Sequence, residues 1–354
     1  MDFPSFKTKI AGLTKKFNLN SPDGRKDYFL AKAGPEIEKL KKYLEHDTFI
    51  AYLLGKKGSG KGTYSKLFEE AVGQGKTVHF SVGDLIRQLD QEVRDPAKKE
   101  ELITFLKKTY RGYLPIDEVI QAQLDRSTQT LLPNEFILAL AKREIAKFGK
   151  KALFIDGFPR NMDQVSYSLF FRELVGYRDD PDVFILINIP ENVIAERMKW
   201  RRVCPVCQTS RNLKLFPTLA VGYDEKAKEF YLLCDNPSCQ KVRMVAKEGA
   251  DLGLEGIKNR LVLDQDLMEK AFSLHGVPKI LLRNSLPADK ALDFADDYEI
   301  TPIYDFEWDK KSGRVVTKEK PWVVRDDADI SSVSLLAPPV AVSLIKQLAQ
   351  VLHL

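Results

Sequence analysis

The residues with the clearest capacity for chemistry are Gly55-Lys56-Lys57-Gly58-Ser59-Gly60-Lys61-Gly62-Thr63. Gly55, Gly58 and Gly60 let the backbone curl so that successive N–H groups, that of Ser59 among them, face one centre where a phosphate can sit. Lys61 then reaches a transferring phosphate as a point charge, and Thr63 offers a hydroxyl near a metal. Two elements must position this loop. Phe49 to Leu54 is a short, unbroken apolar run and reads as a buried strand. Tyr64 to Val72 reads as a helix with Leu67, Phe68 and Val72 on its inner face. Strand, glycine-rich turn and helix make a P-loop. A turn that only joins the two elements would not need a lysine in register after three spaced glycines. The loop is expected to bind nucleotide phosphate.

The common P-loop has Ser or Thr directly after the lysine, whereas Gly62 intervenes here before Thr63. Gly-Lys-Gly-Thr resembles the loop of nucleoside monophosphate kinases, adenylate kinases above all, although Lys57 stands where that family usually has Pro. Four further segments resemble the family in order. Ser81-Val82-Gly83-Asp84-Leu85-Ile86-Arg87 follows a strand over 78–82, and Gly112-Tyr113-Leu114-Pro115-Ile116-Asp117-Glu118 follows a helix over 95–110. Asp156-Gly157-Phe158-Pro159-Arg160 ends a buried strand over 152–155 and is the most specific of them. Glu191 opens a helix that follows a strand over 182–189 and carries Arg197, Arg201 and Arg202. With Arg197 and Arg201 four apart, they are expected on one helix face.

The resemblance implies roles, residue by residue. Arg87 and Arg160 would contact the acceptor phosphate, with Asp84 nearby and Val82, Leu114 and Gly157 lining the acceptor site. Gln164 would read the adenine edge, since an amide both donates and accepts. Arg197 would stack on the donor base, while Arg201 and Arg260 hold phosphates, with Lys258 assisting. Asp156, an acid at the end of an apolar strand in a P-loop chain, is the expected holder of Mg²⁺ and its waters. A further lid arginine of the family has no clean match, leaving Arg243 and Lys247 as candidates. His79 reads as a packed residue.

All four cysteines lie between Cys204 and Cys239. Cys204-Pro205-Val206-Cys207 and Cys234-Asp235-Asn236-Pro237-Ser238-Cys239 are two close pairs around the strand-forming Phe230–Leu233, and the natural reading is a tetrahedral Cys₄ zinc site. Four thiolates leave no open position, so this zinc is structural. Disulfides are the alternative, and an expected reducing compartment argues against them. Within the resemblance, 203–256 is the family's long lid. A free-standing nucleic-acid-binding zinc ribbon is the lesser reading.

The whole chain of 354 residues suits one large domain with additions, or two domains. Lys and Arg number 55 against 50 acidic residues, a net charge of +5 that by itself does not argue for nucleic acid. The start carries no secretory signal pattern and no run approaches membrane-spanning length, so the expectation is a cytoplasmic protein without membrane partners. The fold expected is α/β: a P-loop kinase fold, a parallel sheet with helices on both faces, with a zinc-bound lid and an acceptor-base subdomain. Its parts are an N-terminal extension (1–47), a P-loop core (48–202) with the acceptor subdomain at about 84–132, and the lid (203–256). A core helix (257–285) and a C-terminal part of the core (286–354) follow, the latter with an insertion at about 288–320. Trp322–Arg325 is expected as a strand and Val340–Leu352 as the closing helix. Leu261, Met268 and Phe272 read as the apolar stripe of the core helix. The implied reaction is Mg²⁺-dependent transfer from ATP to AMP giving two ADP, in a monomer. The alternatives are a UMP/CMP kinase, which Val82 favours slightly and Gln164 and the long lid oppose, and a nucleotide-binding regulator.

Overall fold

A computed structural model of the chain describes every residue except 2, 74, 126–132, 160, 162–163, 165–171, 173, 177, 208 and 247–252. In order, the core elements are α1 (Pro22–Tyr43), β1 (Ile50–Gly55), α2 (Lys61–Val72), β2 (Thr77–Ser81), α3 (Val82–Arg94) and α4 (Pro96–Thr109). There follow α5 (Ile116–Asp125), α6 (Asn134–Ala146), β3 (Ala152–Asp156), β4 (Asp182–Asn188) and α7 (Glu191–Lys199). The lid holds β5 (Arg201–Val203), β6 (Ser210–Asn212), β7 (Val221–Asp224), β8 (Glu229–Leu232) and β9 (Val245–Ala246). Then come α8 (Lys258–Ser273), β10 (Lys279–Arg283), β11 (Ser285–Pro287), β12 (Ile303–Asp309), β13 (Arg314–Lys320), β14 (Val324–Arg325), β15 (Ser331–Ser334) and α9 (Ala337–Val351).

The fold is the P-loop kinase one. Five parallel strands run in the order β10-β4-β1-β3-β2, with Ile50 of β1 opposite Leu153 on one side and Asp182 on the other. β1 is buried along its whole length, as a parallel strand covered on both faces must be. Its residues alternate between two cores, following the period of two in an extended chain. Ala51 and Leu53 join Phe29, Phe68, Leu344 and Ile345 under α1, α2 and α9. Ile50, Tyr52 and Leu54 join Leu85, Phe136, Leu140 and Met268 under α3, α6 and α8. Among the described residues no helix is long and apolar enough to cross a membrane.

Residues 1–47 belong to this core. Ser21 caps α1, its Oγ accepting from Gly24 N–H at 3.1 Å, and Tyr28, Phe29, Ala33, Ile37 and Leu40 are buried against the sheet's helices. The ammonium of Lys32 is fully enclosed, donating to Thr8 O at 3.0 Å and to Asp296 at 2.7 Å, with Glu299 at 3.4 Å. A buried charge holds its place only with such partners.

Four details depart from the sequence reading. Val82 opens α3 rather than ending β2, because Ser81 is already an N-cap that accepts from Asp84 N–H. α7 ends at Lys199, and Arg201 and Arg202 sit in β5, which pairs antiparallel with β6 and β9. Arg197 and Arg201 therefore share no helix face, since strand pairing in the lid takes over from the helix. Phe272 is 38% exposed, and the buried stripe of α8 is Leu261, Asp264, Leu267, Met268 and Ala271. Finally, the fifth strand of the parallel sheet is β10, whereas Val324–Arg325 lies in a small antiparallel sheet of order β11-β15-β14.

The excursion after β10 accordingly runs wider than 288–320. It leaves at Asn284 and returns at Leu335, and these two are clipped together: Leu335 N–H donates to Asn284 O at 2.7 Å, and Asn284 Nδ2 to Leu335 O at 3.0 Å. Within it, β12 and β13 form a hairpin of seven paired residues, Ile303↔Lys320 to Asp309↔Arg314. That hairpin packs on the lid. Tyr304 N–H donates to Lys214 O at 2.7 Å, and Lys214 pairs with Asp305 at 3.2 Å. Trp308 stacks on Tyr223 at 5.2 Å, and Phe306 lies 5.6 Å from Phe230 in one apolar cluster with Cys204, Leu213, Leu232 and Met244. Phe306→Ala should therefore destabilise the lid by about 3 kcal/mol. Amide exchange in 221–232 should then speed up roughly a hundredfold; unchanged exchange there would show that the lid core does not depend on the hairpin.

Candidate active site

The phosphate loop joins β1 to α2. Gly60, the N-cap of α2, takes φ +100° and has no side chain, so no oxygen of its own covers the first turn of the helix. The N-terminal amides and the positive dipole end thus face outward, an arrangement suited to an anion. Lys61 extends back across the loop, its Nζ donating to Gly55 O at 2.7 Å and lying 3.8 Å from the Asp156 carboxylate at the end of β3. Thr63 is exposed on the first turn, while Ser59 is wholly buried under the loop. Lys56 turns away from the cleft and pairs with Glu191 at 2.8 Å and Asp327 at 3.2 Å. Asp327 also accepts the Glu191 N–H at 2.8 Å, capping α7 from the inserted segment.

A single cleft is lined by Gly55, Lys61, Asp156, Gly157, Arg260 and Asp264, with Leu53, Leu54 and Leu267 as its apolar floor. Another cation, Lys57, lies within electrostatic range of both Arg260 and Arg201. Burial, and then Arg260 and Arg201, push the Lys57 ammonium below its usual range. Burial and then Arg87 do the same to Arg201, whose Nε donates to Ser210 Oγ at 2.9 Å. Like charges gathered this closely disfavour one another's charged forms. Arg197 reaches the loop from α7, its Nη1 donating to Gly58 O at 3.4 Å. A second, wider cleft of about 470 Å³ lies between lid and hairpin, lined by Tyr223, Tyr231, Trp308 and Arg314, and holds none of the loop residues.

Among the residues expected to form the acceptor site, Gly157 takes φ +99° and lies so close to Val82 that a Cβ there would come within 2.9 Å of the valine's own. Val82 and Gly157 are thus packed as a pair beneath the Asp156 turn. Arg87 and Asp84 are exposed on the first turns of α3 and paired with each other. Leu114 packs at the edge of the α3–α6 core, and Gln164 is 4% exposed. His79 behaves as a packed residue: its ring lies against Gly62, and burial lowers its pKa despite Asp156 and Asp84 nearby. Arg160 and Lys247 lie outside the described residues. Arg243 is engaged within the lid, 3.2 Å from Asp224 and over the Tyr231 ring at 4.2 Å. Lys258 is exposed and 4.0 Å from Glu255.

Two site residues escaped the sequence reading. In the sequence Lys57 stands out only as a replacement for proline, yet its N–H donates to Asp264 Oδ2 at 2.9 Å. No motif singles out Asp264. Its signal is an acid within the apolar stripe of α8, between Leu261 and Leu267.

In the lid, the sulfurs of Cys204, Cys207, Cys234 and Cys239 all lie within 4.8 Å of one another, and three of the four residues are buried. Burial and the neighbouring sulfurs push the Cys239 thiol up to about 12. Four thiolates in this space require a cation, and the donor set suits a tetrahedral, thiophilic metal such as Zn²⁺.

The family model described as "AAA domain" matches residues 54–203. Among curated relatives, adenylate kinase of Thermotoga neapolitana is 27% identical over 237 residues, covering 66% of this chain and 89% of the relative. That of Thermotoga petrophila is 29% identical over 56% of this chain and 74% of the relative. That of Clostridium botulinum is 30% identical over 53% of this chain and 72% of the relative. With the P-loop, the parallel sheet and the cation-lined cleft all in place, the chain belongs to the adenylate kinase family of nucleoside monophosphate kinases.

Proposed function

We propose that the chain transfers a phosphoryl group reversibly from MgATP to AMP, giving two ADP. The observation that carries this reading is a cleft beside the phosphate loop lined by Lys61, Arg260 and Asp156, with Lys57 within electrostatic range of Arg260 and Arg201, and Arg201 within range of Arg87. Cations held near one another are stabilised together by a polyanion, and two facing phosphate chains are such a polyanion. Phosphoryl transfer asks for positioning and charge rather than for a covalent nucleophile, and this cleft offers both. In this reading Lys61, Arg201 and Arg260 hold the transferring group, with Arg160 as a fourth cation. The loop amides and Arg197 hold the donor, while Arg87, Gln164 and the Val82–Gly157 floor hold the acceptor. Mg²⁺ bound with ATP would supply charge neutralisation at the phosphates, and in this reading Asp156 and Thr63 are the residues that would hold it and its waters. Lid closure over the cleft would exclude the water that otherwise hydrolyses ATP.

Lys61→Met should lower kcat about a hundredfold or more, the loss expected for one transition-state charge contact, with the unfolding temperature preserved. A coupled ADP-production assay checks it, and near-normal turnover would remove the loop from the chemistry. The acceptor is tested with AMP, CMP, UMP and GMP against ATP. An amide buried as Gln164 is makes two hydrogen bonds with adenine and leaves them unmade with a pyrimidine, at about 1–3 kcal/mol each. AMP should therefore lead CMP and UMP by roughly a hundredfold or more in kcat/KM. Gln164→Ala should erode that lead by weakening AMP, and equal use of the four acceptors would refute it.

Purified protein should carry about one zinc per chain, and Cys207→Ser should lower that content while the P-loop domain stays folded. The second half follows because neither core beside the parallel sheet includes a described residue of 203–256. Metal analysis showing no zinc, with the four thiols titrating freely, would exclude the site.

A further inference from the structure

We propose that Asp264 is a positioning residue, which holds Arg260 and the Lys57 end of the phosphate loop in register for the donor phosphates. The inference rests on the phosphoryl-transfer reading above and adds to it a residue for which the family motifs give no role. Asp264 occupies the buried stripe of α8 with Leu261, Leu267, Met268 and Ala271, and is itself only 5% exposed. A carboxylate in such a place is costly unless both oxygens are engaged. Here they are engaged by two different parts of the site. Oδ2 accepts the Lys57 N–H at 2.9 Å, and Oδ1 pairs with Arg260 Nε at 2.8 Å.

The choice of nitrogen matters. A contact at Nε fixes the guanidinium plane yet does not occupy the two terminal nitrogens, which remain the fork that grips a phosphate. Arg260 and Lys61 line the same cleft, so the fork is held on the side where the loop gathers phosphate. If the residue served only to anchor α8 on the sheet, an apolar side chain like its neighbours would do so better. Supporting a binding side chain through a buried, fully paired acid is instead a means of pre-organisation. One carboxylate thereby sets the distance between a loop amide and a helix-borne cation that come from segments about two hundred residues apart.

The test uses the full-length enzyme in four forms: wild type, Asp264→Asn, Arg260→Ala and the double variant, with Asp264→Glu as a fifth. Asparagine can still accept from Lys57 N–H but cannot neutralise the guanidinium. Asp264→Asn should lower kcat about tenfold to a hundredfold. KM for ATP should move by less than about threefold, and the unfolding temperature by no more than about 3 °C. Because Asp264 acts through Arg260, Asp264→Asn should cost little further once Arg260 is alanine. Asp264→Glu, which keeps the charge, should recover part of the kcat lost in the asparagine variant. Unaltered kcat in Asp264→Asn, or an equal loss with and without Arg260, would overturn the assignment. So would a glutamate variant no better than asparagine. If Asp264→Asn does not fold, the glutamate variant alone decides, since a purely structural acid would show its deficit in the unfolding temperature and not in kcat. Wild-type protein that phosphorylates no nucleoside monophosphate would sink the functional reading and take this assignment with it, an outcome plainly different from an active wild type with additive variants.

Discussion

Cations from separate segments are held near the phosphate loop within electrostatic range of one another, and much of the chain is arranged to keep them there. Lys57 and Lys61 come from the phosphate loop, Arg201 from the root of the lid and Arg260 from the helix that follows it. No local structure could assemble this set, because its members lie on separate elements. Repulsion among them is offset in part by acids at the same depth, Asp156 beside Lys61 and Asp264 beside Arg260. The parallel sheet provides the rigid base. β1 and β3 end side by side, Leu53 opposite Asp156, so the loop and the acid emerge at one edge. That edge is the carboxyl end of the strands, where open α/β sheets bind their ligands.

The lid and the inserted segment are best understood together. The lid's strands are short, and its apolar cluster includes Phe306, with Tyr304 and Val315 packed against it, all from the hairpin after β10. A small lid with little core of its own gains burial from this neighbour. The same excursion reaches the phosphate loop at its other end, where Asp327 pairs with Lys56 and caps α7. Between the two contacts, Trp322 packs with Ile194, Leu215, Ile257 and Leu261, on α7 and on both roots of the lid. The segment thus touches the loop, the helices that flank the lid and the lid itself.

The sequence by itself determined the phosphate loop, the apolar runs of four of the five parallel strands and the four-cysteine cluster. Each of these is written in local spacing: glycines before a lysine, unbroken apolar runs, two cysteine pairs. The family resemblance added the expected roles of Arg87, Arg197, Arg201 and Arg260, again from short motifs. What escaped local reading was decided by pairing between distant segments. Arg201 left its helix because β6 claims the backbone at that point, with Arg201 opposite Asn212. β10, which no local pattern singled out, completes the parallel sheet because it finds β4 alongside, with Ile280 opposite Ile185. Residues 1–47 looked like an appendage, since nothing local shows that Tyr28 and Ile37 meet α2 and α9. Asp264 was invisible for the same reason. An acid in an apolar stripe looks like an irregularity until the fold brings the Lys57 amide and the Arg260 guanidinium to its two oxygens, and only tertiary structure supplies that encounter.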